Sequence, residues 1–327
     1  MENEEEIFKN RIDLELVTKA VSDIKHELNQ IVFGQDEVID LILIGILSDG
    51  HILIEGVPGV AKTMMSKLLG KVLDISFKRI QFTPDLMPSD VLGTSVFNPK
   101  TLDFEYRRGP VFGNIILIDE INRAPAKTQA ALFELMEERQ ITIDGNTYLM
   151  DTPFIVLATQ NPIEQEGTYR LPEAQLDRFL FKVNIGYPSP DDEVLMLKRF
   201  NYETYNDVVS NLQPVLSIRL LKELRQNVRQ VIIEDNILKY ITLLIQATRN
   251  YKLLELGASP RASIALMLAS KAKAALSGRD FVTPEDVKSM AKPTLRHRII
   301  LTPDAEMEGV NEDEVLDNLF SKVEIPR

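Results

Sequence analysis

An apolar run, His51, Ile52, Leu53 and Ile54, is followed almost at once by Gly56, Val57, Pro58, Gly59, Val60, Ala61, Lys62 and Thr63, and then by a helical pattern over residues 64–73. A strand that delivers a glycine loop into a helix admits few folds, because only an open α/β sheet presents such a loop at a strand end. The glycines let backbone N–H groups wrap phosphate oxygens. The lysine reaches the β- and γ-phosphates, and the hydroxyl reaches Mg²⁺. Ala61 stands where the pattern would have its last glycine. Lys62 falls in the first turn of the helix, where the macrodipole disfavours a cation, and a bound triphosphate would remove that conflict.

The rest of the first half agrees with such a sheet. Short apolar runs at 77–82, 115–118, 154–158 and 179–185 alternate with helical patterns. Runs of that kind are what strands buried on both faces look like, so the expected core is α/β, a parallel sheet with helices on both faces. Helices are expected ahead of it at 14–28 and 36–47. Two stretches break the alternation, 94–110 and 141–150. The second has Asp144-Gly145 between β-formers, a hairpin signal. Beyond Tyr187 the strands stop. Ser189-Pro190-Asp191-Asp192 opens a helix with a cap, a proline and first-turn acids, and further helices are expected at 217–227, 234–250, 260–277 and 284–292. The expected organisation is an acidic, disordered head at 1–13, the α/β core at 14–188, an all-helical domain at 189–300, and a tail at 301–327 with one short helix.

Three more places carry chemistry. Asp119 and Glu120 end the apolar run 115–118, at the edge where ligands of open sheets collect. Asp119 would hold hydrated Mg²⁺, and Glu120 would take a proton from an attacking water. Asn161 ends the next run and could orient the same water, although Asn161-Pro162 also starts turns. Arg178 precedes the last run, where a salt bridge to a nearby acid is the plain alternative. Arg261 follows Ser259-Pro260 at the start of a helix, again a cation where the helix dipole disfavours one.

Composition closes off other chemistries. With no Cys and only His26, His51 and His297, thiolate zinc sites, cysteine catalysis and multi-His metal sites are excluded. No stretch of eighteen uncharged apolar residues suggests a membrane span. The acidic start does not read as a secretory signal, so a cytoplasmic protein is expected. A net charge of -12 disfavours a long footprint on nucleic acid and makes protein partners the better expectation.

With these residues in place the chain resembles the MoxR family of AAA+ ATPases from about residue 17 onward. The likeness is carried by GVPGVAKT at 56–63, RIQFTPDLMPSD at 79–90, LIDEINRAP at 117–125, ATQNP at 158–162, LPEAQLDRF at 171–179 and GASPRA at 257–262. It implies an AAA+ P-loop core with a small all-α lid. Nucleotide contacts would come from Gly56, Val57, Pro58, Gly59, Val60, Ala61, Lys62, Thr63 and Met64, and Val32, Phe33, Gly34 and Gln35 would line the adenine pocket. Thr63 and Asp119 would hold Mg²⁺. Glu120 would complete the Walker B pair, with Asn161 as sensor 1, Arg261 as sensor 2 and Arg178 as an arginine finger acting across a subunit boundary. The resemblance therefore implies a homo-oligomeric ring, a hexamer, hydrolysing ATP to remodel a protein client such as a von Willebrand factor A domain protein. The stretches at 94–110 and 141–150 would be the helix 2 insert and pre-sensor 1 hairpin, and Gln81 would couple substrate contact to Glu120. Two other readings stay open. Arg107-Arg108 and Arg296-His297-Arg298 would suit a nucleic-acid motor, and a scaffold could bind ATP without turnover.

Overall fold

The apolar runs form strands, and the pleat decides which core each residue enters. The computed structural model describes residues 13–56, 62–161 and 167–325. It begins with α1 (Glu15–Leu28), α2 (Asp36–Leu47), β1 (His51–Gly56), α3 (Lys62–Val72), β2 (Phe77–Gln81) and α4 (Pro88–Leu92). The strands β3 (Gly93–Asn98), β4 (Asp103–Arg108) and β5 (Ile115–Asp119) follow, then α5 (Ala126–Glu138), β6 (Gln140–Ile143), β7 (Asn146–Leu149), β8 (Ile155–Gln160), α6 (Glu173–Leu176) and β9 (Phe179–Ile185). The second half has α7 (Pro190–Phe200), α8 (Tyr205–Asn211), α9 (Ile218–Gln230), α10 (Asp235–Arg249), β10 (Leu254–Leu256), α11 (Pro260–Leu276) and α12 (Pro284–Leu295). It closes with β11 (Ile300–Leu301), α13 (Pro303–Met307) and α14 (Glu312–Phe320).

Five parallel strands form one sheet in the order β2-β5-β8-β1-β9. Successive side chains of a strand face opposite sides, so a sheet covered on both sides needs both sets apolar. Ile115 and Leu117 of β5 enter one core with Ile52, Ile54, Ile155 and Leu157. Ile116 and Ile118 enter the other with Leu53, Val156 and Ala158. Helices α1 to α3 cover the first face through Val17, Ile24, Ile42 and Leu68, and that core continues into the lid through Tyr240 and Leu266. Helix α5 covers the second face through Leu132, Phe133 and Met136.

The parallel register lines up the strand ends. Gln81 lies beside Asp119, Ile118 beside Ala158, and Glu55 beside Gln160, so Gly56, Gln81, Asp119 and Gln160 share the C-terminal edge. His51 lies beside Phe179 at the opposite edge. From His51 to Gly56 the chain rises about 3.3 Å per residue, which separates the two edges by roughly 17 Å.

Both departures from the alternation are antiparallel hairpins, β3 with β4 and β6 with β7. Asp144 and Gly145 have φ of 51° and 79°, the left-handed pair a two-residue hairpin turn requires. The hairpins touch each other: the Ser95 hydroxyl donates to the Asp144 carboxylate, and the rings of Tyr106 and Tyr148 lie 4.5 Å apart. Phe97, Leu102, Phe104 and Leu149 stay exposed on them.

Residues 301–320 are less tail-like than the sequence suggests. Strand β11 pairs with β10, and α14 buries Val315, Leu316, Leu319 and Phe320 against the lid. Lys292–Asp317 and Arg296–Asp313 ion pairs flank that contact. The Arg296-His297-Arg298 cluster is thereby internal. His297 and Arg298 are buried, and Arg298 donates to Asp177 Oδ1 at 2.7 Å and to the carbonyl oxygens of Leu180, Phe179 and Thr294. These bonds rivet the lid to the start of β9. Among the described residues no helix is long and apolar enough to cross a membrane.

His51 is expected to make the N-terminal edge of the sheet sensitive to pH. Its Nε2–H donates to Met136 O at 3.1 Å and its Nδ1 accepts from the Val156 N–H at 2.9 Å, a pattern only the neutral ring satisfies. Burial, with Arg139 nearby, lowers its pKa from the ordinary 6.5 to about 4. A depressed folded-state value contributes stability that is full above 6.5 and lost as pH falls toward 4, a span of about 3 kcal/mol. Urea unfolding at about pH 7 and about pH 4 is expected to show a loss roughly 3 kcal/mol smaller in His51→Gln than in the parent. Equal losses in the two proteins would reject the assignment.

Candidate functional site

Strand ends build the site. Of the glycine loop, Gly56 ends β1 and Lys62 and Thr63 start α3, while Val57, Pro58, Gly59, Val60 and Ala61 lie outside the described residues. Asp119 is 4% exposed at the end of β5, between two neighbours. The Thr159 hydroxyl donates to its Oδ1 at 3.2 Å, and Arg79 Nε donates to its Oδ2 at 2.6 Å. A buried carboxylate needs such partners, since stripping its water is expensive without them.

Glu120 begins a different geometry. Its backbone is left-handed, φ 57° and ψ 53°, a conformation that costs a non-glycine residue about 1–3 kcal/mol and persists only where neighbours over-determine it. Here its N–H donates to Thr159 Oγ1 at 3.0 Å, and its Oε2 accepts from Gln81 Nε2 at 2.8 Å and lies 3.1 Å from Arg123 Nε. Thr159 thus bridges the two adjacent acids, its proton on Asp119 and its lone pair toward Glu120. Arg79 also donates to Gln81 Oε1 at 3.1 Å, so Arg79, Gln81, Asp119, Glu120 and Thr159 form one connected set. Asn161, 7% exposed, follows β8 at the same edge.

The segment expected at the adenine reaches this edge too. Val32 is buried, Gln35 Nε2 donates to Gly186 O at 3.3 Å just past β9, and Gly34 is left-handed with φ 67°. A Cβ on Gly34 would stand 2.2 Å from Asp192 Oδ2 at the start of α7, so any other residue would need both a strained left-handed backbone and a shift of the Asp192 side chain. Phe33 is half-buried beside it.

The remaining two candidates are elsewhere. Arg178 immediately precedes β9 and Arg261 opens α11, which puts both at the N-terminal edge of the sheet, a strand length away from Asp119 and Glu120. Both are bound to one acid on α5. Arg178 Nη2 lies 2.6 Å from Glu137 Oε2, and Arg261 Nη2 donates to Glu137 Oε1 at 2.6 Å. They line a cavity of about 270 Å³ together with Arg139, Asp177 and Arg298.

The donor set at the C-terminal edge fits Mg²⁺. It offers a hard oxygen donor in the Asp119 carboxylate, and Mg²⁺ typically takes one or two protein ligands plus phosphate oxygens and water. Among the described residues no group of three or more His, Cys, Asp or Glu could cage a metal on its own. Arg79, Thr159 and Asp177 lie inside stretches that carry the family likeness and Arg298 inside the basic cluster 296–298, but the sequence gives none of them a role in the site, and nothing in it marks Glu137. Arg79 lies two positions before Gln81 on the same face of β2, a period-two signal that could have found it. The others depend on contacts between distant segments.

The chain is similar to known proteins. Residues 51–181 match the ATPase family associated with various cellular activities (AAA), and residues 246–319 match the AAA lid domain. The chain is 47% identical over 311 residues to the uncharacterized protein YeaC of Bacillus subtilis, covering 95% of each chain. It is 42% identical to the chaperone MoxR1 of Mycobacterium tuberculosis, over 92% of this chain and 81% of that one. It is 30% identical to protein MoxR of Paracoccus denitrificans, over 93% of this chain and 96% of that one. A crystal structure of a candidate ATPase from Cytophaga hutchinsonii superposes with a TM-score of 0.87 at 44% identity, over 95% of this chain and 96% of that one.

Proposed function

Because the chain belongs to the MoxR family of AAA+ ATPases, we propose that it hydrolyses Mg·ATP as a ring of identical subunits and uses that hydrolysis to remodel a protein client. One observation carries the reading. The acids Asp119 and Glu120 and the arginines Arg178 and Arg261 lie at opposite edges of the sheet, so one subunit cannot bring them to one phosphate. A neighbour that sets its arginine edge against this subunit's glycine loop would complete the site, and a closed ring of six repeats that contact.

Within such a site Thr63 and Asp119 would hold Mg²⁺, which when bound would offset the negative charge of the phosphates. Gly56 and the loop after it, Val57, Pro58, Gly59, Val60 and Ala61 with Lys62 and Met64, would cradle the phosphates, and Val32, Phe33, Gly34 and Gln35 would meet the base. Glu120 is the general base, aimed by its left-handed backbone and by Thr159. Gln81 donates to Oε2 of Glu120, so a movement of Gln81 would re-aim the base. Asn161 orients that water against the γ-phosphate. The neighbour's Arg178 and Arg261 would stabilise the charge that builds as the phosphoryl group leaves.

A protein client is supported by the relative named a chaperone in Mycobacterium tuberculosis and by the exposed apolar side chains of the two joined hairpins, Phe97, Leu102, Phe104 and Leu149. A von Willebrand factor A domain partner rests on the resemblance alone. The nucleic-acid reading loses one of its two basic clusters, because Arg298 and His297 are buried and Arg296 is paired with Asp313.

The test is phosphate release per protein molecule at saturating Mg·ATP across a wide range of protein concentration. The specific rate is expected to climb steeply and then level off as sites are completed by neighbours. A rate independent of concentration down to the lowest dilution would reject the shared site, and no release at any concentration would favour a scaffold.

A further inference from the structure

Glu137 joins the two edge arginines through its two carboxylate oxygens. We propose that Glu137 is a latch: in the separate subunit its carboxylate holds Arg178 and Arg261, and on assembly the neighbour's phosphate displaces it. The proposal rests on the shared-site reading above and adds a residue that sets when the shared site forms.

The geometry leaves little of Arg178 free. Its Nε and Nη2 both face Glu137 Oε2, at 2.7 and 2.6 Å, and its Nη1 donates to Ala174 O at 2.9 Å. All three nitrogens of the guanidinium are engaged inside the subunit. Arg261 uses Nη2 on Glu137 Oε1, and its Nη1 is 4.0 Å from Asp177. Each oxygen of one carboxylate therefore holds one arginine, one from the core and one from the lid. An arginine so occupied must exchange partners before it can meet a phosphate.

Glu137 is itself misplaced without them. It lies in the last turn of α5, followed by Glu138, and that turn contains no basic residue. A helix C-terminus repels anions, so the compensation comes from outside the helix. Its pKa is lowered, chiefly by the hydrogen bond from Arg261, which keeps the group an anion. The contact is also built to open. The side chains of Glu137, Arg178 and Arg261 are 36%, 25% and 48% exposed, and ion pairs that wet are weak. A phosphate carries more charge and three acceptor oxygens, and it outcompetes a carboxylate for guanidinium groups. The neighbouring Arg298–Asp177 pair, 3% and 19% exposed and held by further carbonyl bonds, has no such freedom. The lid thus stays anchored while the two exposed arginines change partners.

Glu137→Gln keeps the shape and removes the charge. The protein concentration giving half-maximal specific ATPase rate is expected to fall about tenfold, the combined effect of two weak ion pairs on an association constant. Sedimentation with a non-hydrolysable ATP analogue is expected to show the same shift in assembly, independently of turnover. Glu137→Ala should shift both in the same direction. An unmoved midpoint overturns the latch, as does a fixed midpoint with a reduced plateau, which would make Glu137 a positioning residue for the finger. Arg178→Ala is measured beside them. If it is as active as the parent, the shared site fails and the latch with it, whereas an inactive Arg178→Ala beside an unmoved Glu137→Gln midpoint overturns the latch alone.

Discussion

Arg178→Ala is expected to bind ATP like the parent and to lose about 10³-fold in turnover, since an arginine supplied in trans to a phosphoryl group is worth roughly that much in related NTPases. Its position explains the separation of the two effects. The side chain stands at the N-terminal edge of the sheet, a strand length from its own subunit's glycine loop, and its contacts are with Glu137 and Ala174. Removing it leaves the subunit's own nucleotide contacts untouched. Nucleotide titration by fluorescence and phosphate release above the assembly midpoint measure the two quantities. Weakened ATP binding with an unchanged turnover number would assign Arg178 to the wrong role.

For Glu120→Gln the expected loss is about 100-fold or more, the contribution of a positioned general base, again with ATP binding retained. Glutamine can keep the left-handed backbone, the Thr159 contact and the approach of Gln81, so geometry is conserved while the proton acceptor is lost. Rings of this variant should accumulate in ATP. The two inactive variants also test each other. A subunit with intact Glu120 beside one with intact Arg178 makes a whole site, so mixing Glu120→Gln with Arg178→Ala should restore a sizeable minority of the parental rate. A mixture as inactive as its parts would mean that acid and arginine do not act on the same phosphate from two chains.

Much of this site is legible in the amino-acid sequence. Gly56 with Lys62, Asp119 with Glu120, and Asn161 follow apolar runs, and a chain buried on both faces of a sheet must show such runs, so strand ends are easily found. Asp144-Gly145 announces its hairpin, because few other pairs tolerate two left-handed residues in succession. Ser189 and Thr283 announce helix starts, and each side chain accepts the capping bond, from Asp192 N and Asp286 N. Residues 301–320 read as a tail because their short, charged helix carries its apolar side chains at spacings that need a partner surface to be recognised.

Local chemistry therefore marked the candidates for phosphate, metal and water, because a glycine loop, a strand-end acid pair and a cap act through neighbours in the chain. Tertiary structure alone decided which of them meet each other. Thr159 bridges Asp119 and Glu120 across forty residues, and Glu137 gathers Arg178 and Arg261 across 41 and 124. Strand order and helix packing set those distances, and they depend on the burial of two whole faces of a sheet rather than on any short stretch of sequence. Placing the arginines and the acids at opposite edges is the same kind of result: it follows from all five strands running parallel, which no single motif states.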